Sequence, residues 1–180
     1  MACWELGLQL KRDWLPELQK VDAKLLVVGI GTAESAHEFA KQVGLPAEDL
    51  FADEEAMAYK AVRMVNSDFE EDGRQRGMRM LTEKTSEAVK GRANGRPLSF
   101  FGLFDIPFLF TNDDLEAAKE IYKPLLPKGD NSLDKTLVQG GVFVFDGDQE
   151  VFRHRDTSVA VHADLGRVLQ AVATTMHGEA

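Results

Sequence analysis

The sequence has 180 residues, of which 44% are hydrophobic and 28% charged, and these values are typical of one globular domain with a buried core. Its net charge of −9 argues against nucleic-acid binding as the main task, because the phosphate backbone repels an acidic surface. No apolar run approaches the roughly 20 residues that a membrane-spanning helix needs, and the first residues show no signal-peptide pattern. We therefore expect a single domain over residues 1–180 without a membrane span.

The numbers of cysteines and histidines bear on redox chemistry and on metals. Cys3 is the only cysteine, so no disulfide forms within the chain, and a reducing compartment is expected. We expect no metal site and no other bound cofactor, because one cysteine and scattered histidines lack the spacing of metal ligands. The histidines are His37, His154, His162 and His177.

The first part of the chain predicts a helix, a strand and a second helix. Residues 4–20 form the first helix, which Pro16 should kink or split because proline lacks an N–H. Residues 24–30 predict a buried strand, and Thr32 caps a second helix that ends at Gly44. The apolar positions expected to face inward in these helices are Leu8, Leu15, Leu18, Ala36, Phe39, Ala40 and Val43.

The next segment predicts a short edge strand followed by a third helix. Leu50–Ala52 is the strand, and Asp53 caps a helix over residues 54–64. Met57, Ala61 and Met64 lie on one face of that helix.

Residues 66–135 are less regular and predict an insertion. The basic run of residues 74–96, from Arg74 to Arg96, predicts a solvated face or a docking site for an acidic partner. The phenylalanine-rich run of residues 99–110, from Ser99 to Phe110, predicts part of the core or a lid, or else an exposed patch for a partner or a lipid-like substrate. Residues 111–123 predict a helix that Thr111 caps.

The last part of the chain predicts a β-hairpin and a helix. Residues 142–145 are apolar on both faces, which predicts a strand buried in a layered sheet. A turn at Gly147 joins it to an outer strand, Gln149–Arg155. Gly140 and Gly141 allow a close approach of the backbone to a neighbour. The final helix covers residues 163–175 and turns Leu165, Val168, Leu169 and Val172 inward.

This order of elements predicts an α/β sandwich. A hairpin followed by a helix, after a strand and a helix, is the arrangement of the thioredoxin-like fold. In that fold one more strand precedes the first helix, whereas this sequence begins at the helix. We therefore expect either a protein without that strand or a sequence truncated at its N-terminus.

Four motifs in register resemble the peroxiredoxin-like 2 group of AhpC/TSA-related redoxins. They are Cys3-Trp-Glu-Leu6 at the position of Cys-x-x-Cys, the strand and glycine turn from Leu25 to Gly31, the aspartate-then-tyrosine segment from Phe51 to Lys60, and the hairpin with Gln139-Gly-Gly and His154-Arg-Asp156. The resemblance implies a thioredoxin-like fold with thiol-based redox or antioxidant activity. It leaves two compartments open, the cytoplasm and the chloroplast, because the group includes plant and algal members.

Cys3 is the candidate catalytic residue, as the resemblance implies. A thiol in the first turn of a helix meets unpaired N–H groups and the positive end of the helix dipole, which stabilise a thiolate. Since Leu6 replaces the second cysteine, an external thiol such as glutathione or thioredoxin would act as the reductant of this peroxide- or disulfide-reducing protein. The alternatives are an inert Cys3 and a non-catalytic thioredoxin-like module that binds a partner or serves as a structural subunit.

Two further motifs have simpler interpretations. In His154-Arg155-Asp156 the charged groups are expected to pair locally; alternatively, His154 or Arg155 lies near Cys3 and tunes it. Gly29-Ile-Gly31 precedes a helix as a dinucleotide fingerprint does, but the third glycine position is Glu34, which would repel an anion. A plain turn from strand to helix is therefore the expectation.

Overall fold

The computed structural model describes residues 2–67, 83–91, 94, 96–100, 104–125, 127 and 132–177. Its helices are α1 (Ala2–Gln9), α2 (Leu15–Lys20), α3 (Ala33–Val43), α4 (Met57–Ala61), α5 (Glu83–Lys90), α6 (Asp113–Ile121), α7 (Ser132–Thr136) and α8 (Leu165–His177). The strands are β1 (Val27–Gly29), β2 (Leu50–Ala52), β3 (Arg96–Phe100), β4 (Phe104–Thr111), β5 (Gly141–Asp146) and β6 (Gln149–Arg155). This mixture of helices and strands confirms the predicted α/β class. Among the described helices, none combines the length and apolar character needed to cross a bilayer.

The predicted split of the first helix is confirmed. A π-helical turn, Leu10–Trp14, separates α1 from α2. Pro16 lies directly after it, in the first turn of α2, and as a proline it has no N–H to donate to the preceding turn. Leu18 is buried, while Leu8 and Leu15 are partly buried against the core.

The limits of α3 also match the sequence. The Thr32 hydroxyl accepts a hydrogen bond from the Ser35 N–H at 3.2 Å, and Gly44 ends the helix with φ 75°. Between Gly29 at the end of β1 and Ala33 at the start of α3, the chain makes the expected turn from strand to helix.

The prediction that residues 24–30 and 142–145 form strands buried on both faces was wrong. Among the described residues the strands form separate pairs, with β1 parallel to β2, β3 antiparallel to β4 and β5 antiparallel to β6. The segments around β1 and β5 are not buried on both faces, since Leu26, Val28 and Phe145 are 55%, 39% and 57% exposed. The physical reason is that only alternate side chains, such as Val27 and Val144, reach the core.

The third helix is shorter than its sequence suggests. The Asp53 carboxylate accepts hydrogen bonds from the N–H groups of Met57 (2.9 Å) and Ala58 (2.8 Å), so Asp53 does hold the start of α4. However, Ala56 has φ 55° and Arg63 has φ 54°, and these left-handed residues limit the helix to five residues. Met57, at the start of this helix, is 63% exposed.

The middle of the chain is described only in part. Residues 74–82, 92, 93 and 95 of the basic run lie outside the described residues, as do residues 101–103 and the side chains of the phenylalanine-rich run. Residues 99–100 and 104–110 contribute backbone to the antiparallel pair of β3 and β4. The cap of α6 is Asn112 and not Thr111, because the Asn112 side chain accepts from the Leu115 N–H at 2.8 Å.

Buried polar contacts hold α1 to the start of α6. Glu5 is fully buried, and its Oε1 accepts a hydrogen bond from Asn112 Nδ2 at 2.9 Å. Gln9 Nε2 donates to Asp114 Oδ2 at 3.1 Å on the same face of α1. Around these contacts Trp4 packs edge-to-face on Phe39, with ring centroids 5.2 Å apart. The position of α1, and with it that of Cys3, is therefore set by both polar and aromatic packing.

Candidate functional site

Cys3 lies in the first turn of α1, as the sequence predicts, and it is exposed. The protein atoms around its thiol nevertheless withhold water from it. This desolvation of the thiolate raises the pKa of Cys3, while the positive charge of the N-terminus lowers it by a smaller amount. The negative charge of Asp156 raises the pKa by less than the N-terminus lowers it. A backbone N–H lowers the pKa, but by less. Because its pKa is raised, a smaller fraction of this thiol is ionised at neutral pH than of an ordinary cysteine.

Tyr59 lies on the edge of β1 that faces away from β2. Its hydroxyl donates to the Val28 carbonyl at 2.6 Å. The Gly29 carbonyl accepts from the Asp53 N–H on the β2 side, at 2.9 Å. Consecutive carbonyls of a strand point in opposite directions, so the Val28 carbonyl points away from β2. Burial raises the pKa of Tyr59, and the negative charges of Cys3, Asp53 and Asp156 raise it further.

Replacing Tyr59 with phenylalanine should lower the free energy of unfolding by about 1 kcal/mol, because the Val28 carbonyl loses its donor. The difference from the wild type should be constant below about pH 10, the ordinary pKa of tyrosine. Above that pH it should shrink, because the unfolded wild type gains stability by ionising Tyr59 while the raised pKa keeps the folded phenol neutral. Urea unfolding at several pH values measures both effects, and a difference that grows at high pH would contradict them.

Asp156 forms the buried side of the site. Only 3% of the residue is exposed, and its Oδ2 is 2.8 Å from Nδ1 of His162. Its Oδ1 lies 3.3 Å from Nε2 of His154, and its N–H donates to the Gly140 carbonyl at 3.0 Å. The end of β6 and the segment that follows it thus hold a carboxylate between two imidazoles.

The two glycines at the start of β5 permit this packing, which confirms the predicted close approach. A Cβ at Gly141 would lie 2.4 Å from the His154 carbonyl oxygen, and one at Gly140 would lie 3.4 Å from Asp156 Oδ2. Because the first of these neighbours is backbone, a side chain at Gly141 would require the strands to move apart.

The His154-Arg155-Asp156 motif pairs locally, as expected, through the contacts of Asp156 with the two histidines. Arg155 turns away, since its guanidinium donates to the Val62 carbonyl and lies 5.5 Å from the ring centroid of Phe143. The residue of the motif whose charge reaches Cys3 is Asp156.

The sequence analysis missed three members of this site, Tyr59, Asp156 and His162. Tyr59 appeared only as part of a motif, and His162 only in a count of histidines. For Asp156 the sequence contains an indication of burial, because this residue lies between an alternating strand and a second apolar segment. No residue pattern indicates that its charge acts on the thiol of Cys3.

Comparison with known proteins gives one match. The family model described as AhpC/TSA antioxidant enzyme matches residues 9–158. That range includes Tyr59 and Asp156 and begins six residues after Cys3. No curated protein and no solved structure matches the chain. Among the described residues, no group of three histidine, cysteine or acidic side chains is arranged to hold a metal ion.

Proposed function

Because the chain belongs to the AhpC/TSA antioxidant enzyme family, we propose that it reduces peroxides or disulfides through Cys3, with an external thiol as the reductant. Membership confirms the predicted thioredoxin-like α/β fold and a thiol-dependent antioxidant or redox function at the level of the family. The role of Cys3, the substrate and the reductant are parts of the proposal.

The observation that carries the proposal is the position of Cys3. It is an exposed thiol in the first turn of a helix, and the charge of Asp156 acts on its ionisation. An exposed thiol is accessible to a small substrate and to an external thiol, as this chemistry requires. The described packing of α1 on α3 and α6 keeps this thiol in place.

The proposed reaction has three balanced steps. The thiol loses its proton, the thiolate attacks one oxygen of a hydroperoxide, and the O–O bond breaks to give a sulfenic acid and, after protonation, an alcohol. An external thiol then displaces the hydroxyl as water and forms a mixed disulfide. A second external thiol releases Cys3 as the thiol and leaves as the disulfide of the reductant. The external thiol is needed because Leu6 occupies the position of a resolving cysteine.

Purified protein supplied with hydrogen peroxide or an alkyl hydroperoxide and with glutathione or thioredoxin tests the proposal. We expect peroxide consumption well above background in the wild type and background rates in Cys3→Ser. The rate should rise with pH through neutrality, because the raised pKa of Cys3 leaves little thiolate at pH 7. Equal rates in the two proteins would refute the assignment and favour a non-catalytic binding module.

Mass spectrometry of the peroxide-treated protein provides an independent readout. One added oxygen atom on Cys3, trapped by a sulfenic-acid reagent, is expected. Met57 is 63% exposed and also gains an oxygen atom from peroxide, so Met57→Leu serves as the matched control. Oxygen found on Met57 and not on Cys3 would contradict the proposal.

A further inference from the structure

Lys135 in α7 is a buried cation that the proposed reaction does not use. Its side chain is 3% exposed, and among the described residues its Nζ makes one polar contact, with Glu55 Oε2 at 3.3 Å. Burial of an ammonium ion is costly unless an opposite charge compensates it, because the protein interior solvates a charge less well than water does. The Glu55 carboxylate is therefore the group that allows this charge to be buried.

Hydrogen bonds just after α7 fix the segment that carries the lysine. The Gln139 N–H donates to the Val65 carbonyl at 3.0 Å, and Asn66 Nδ2 donates to the Leu137 carbonyl at 3.1 Å. Asn66 and Gln139 are both buried, with 6% of each residue exposed. The turn after α7 cannot move without breaking these buried bonds, so the ammonium group has a fixed attachment.

Glu55, in contrast, belongs to a segment that buries little of itself. Its side chain is 73% exposed, and within residues 53–61 the one buried residue is Ala56. Ala56 before α4 has φ 55°, and Arg63 after it has φ 54°, a left-handed conformation that is unfavourable for residues with a Cβ. Few buried side chains and two strained residues give such a segment little stability of its own.

Two described hydrogen bonds hold the same segment to β1. The Asp53 N–H donates to the Gly29 carbonyl at 2.9 Å, and the Tyr59 hydroxyl donates to the Val28 carbonyl at 2.6 Å. The ion pair with Lys135 adds a contact to α7, 80 positions along the chain. A weakly stable segment is thus joined to a fixed part of the fold by a charge that α7 needs for its own burial.

We propose that the ion pair of Glu55 and Lys135 is a latch that holds residues 53–61 against α7. Loss of the Glu55 charge leaves the buried ammonium uncompensated, and the segment moves away so that water reaches it, because the turn after α7 is fixed. This opening withdraws the Tyr59 hydroxyl from the Val28 carbonyl and exposes that edge of β1. A cationic group from solution can reach the exposed Glu55 carboxylate, compete with Lys135 and open the latch. The inference does not depend on the reaction proposed for Cys3.

Amide hydrogen exchange at constant pH tests the latch. Glu55→Gln removes the charge and keeps the shape of the side chain. The amides of Met57 and Ala58, which are hydrogen-bonded to the Asp53 carboxylate, should then exchange about tenfold faster, a factor between those for exposed and for buried ion pairs. The matched control is Glu54→Gln, which removes the neighbouring exposed carboxylate and should leave the exchange unchanged.

A second variant tests whether the buried charge causes the opening. Lys135→Met keeps an unbranched side chain without the ammonium group, so combining it with Glu55→Gln should return the exchange to within about twofold of the wild type. Acetylation by acetic anhydride, located by mass spectrometry, is an independent readout. Lys135 should react about tenfold faster in Glu55→Gln than in the wild type, whereas the exposed Lys24 should react equally in both.

Equal exchange in the wild type and Glu55→Gln would overturn the inference, as would an equal effect of Glu54→Gln. A double variant that exchanges as fast as Glu55→Gln would also overturn it, because the buried charge would then have no part in the opening. The wild type alone is decisive if the variants do not fold. Exchange of the Met57 and Ala58 amides as slow as that of the buried amides of α3 would show that the segment opens only when the whole protein unfolds.

Discussion

Replacing Asn112 with alanine should lower the free energy of unfolding by about 3 kcal/mol. The side-chain oxygen Oδ1 of Asn112 caps α6 by accepting a hydrogen bond from the Leu115 N–H, and loss of a cap costs about 1 kcal/mol. Its amide also donates to Glu5 Oε1 in a fully buried setting, and loss of a buried hydrogen bond to a carboxyl oxygen costs about 2 kcal/mol more. Urea unfolding followed by tryptophan fluorescence is a suitable measurement, because Trp4 lies in the helix that Glu5 anchors.

The matched control for this prediction is Thr32→Ala. Thr32 caps α3 through the Ser35 N–H, and its side chain is only partly buried. Loss of this hydroxyl should therefore cost about 1 kcal/mol, the value of a cap alone. The difference between the two variants isolates the contact with Glu5. If both variants lose the same stability, the buried contact between α1 and α6 contributes nothing.

Replacing Gly141 with alanine should destabilise the protein by about 3 kcal/mol, at the upper end of overpacking costs. The new Cβ would lie 2.4 Å from the His154 carbonyl oxygen and 3.0 Å from the terminal methyl of Met64. The methyl group can move, whereas the carbonyl belongs to the β5–β6 ladder, in which Gly141 pairs with Arg155. Relief of the clash requires separation of the two strands next to Asp156.

Gly29→Ala is the matched control for Gly141. Gly29 also lies in a strand, but a Cβ there would meet nothing within 4 Å, and its φ is not positive. Alanine at Gly29 should therefore be neutral or slightly stabilising, because it restricts the unfolded chain. Thermal unfolding of both variants provides the comparison. A Gly141→Ala protein as stable as the wild type would show that β5 and β6 are packed less tightly than the distances indicate.

The structure confirms the parts of the fold that rest on local signals. Thr32 and Gly44 delimit α3, Pro16 accompanies the split between α1 and α2, and Gly147 turns the hairpin with φ 55°. Each of these residues acts through its own backbone or side chain on groups within a few positions. Such effects are encoded in short windows of sequence, so they can be inferred without knowledge of the rest of the fold.

The burial of the strands could not be inferred in the same way. An apolar run such as residues 24–30 is compatible with a strand covered on both faces, but whether a second layer covers Leu26 and Val28 depends on elements far along the chain. The length of α4 likewise depended on the left-handed conformations of Ala56 and Arg63, for which neither residue type has a preference.

The sequence by itself determined the α/β class, the redoxin resemblance that the family match bears out, and the position of Cys3 at the start of a helix. Only the tertiary structure decided which charged groups act on that thiol. Tyr59 and Asp156 are 56 and 153 positions from Cys3, and no local preference relates residues at such separations. The charge of Asp156 raises the pKa of Cys3, and the charge of Cys3 raises that of Tyr59, because the chain packs these residues within electrostatic range of one another. The protonation of the thiol follows from that packing, since electrostatic effects depend on distance in space and on burial.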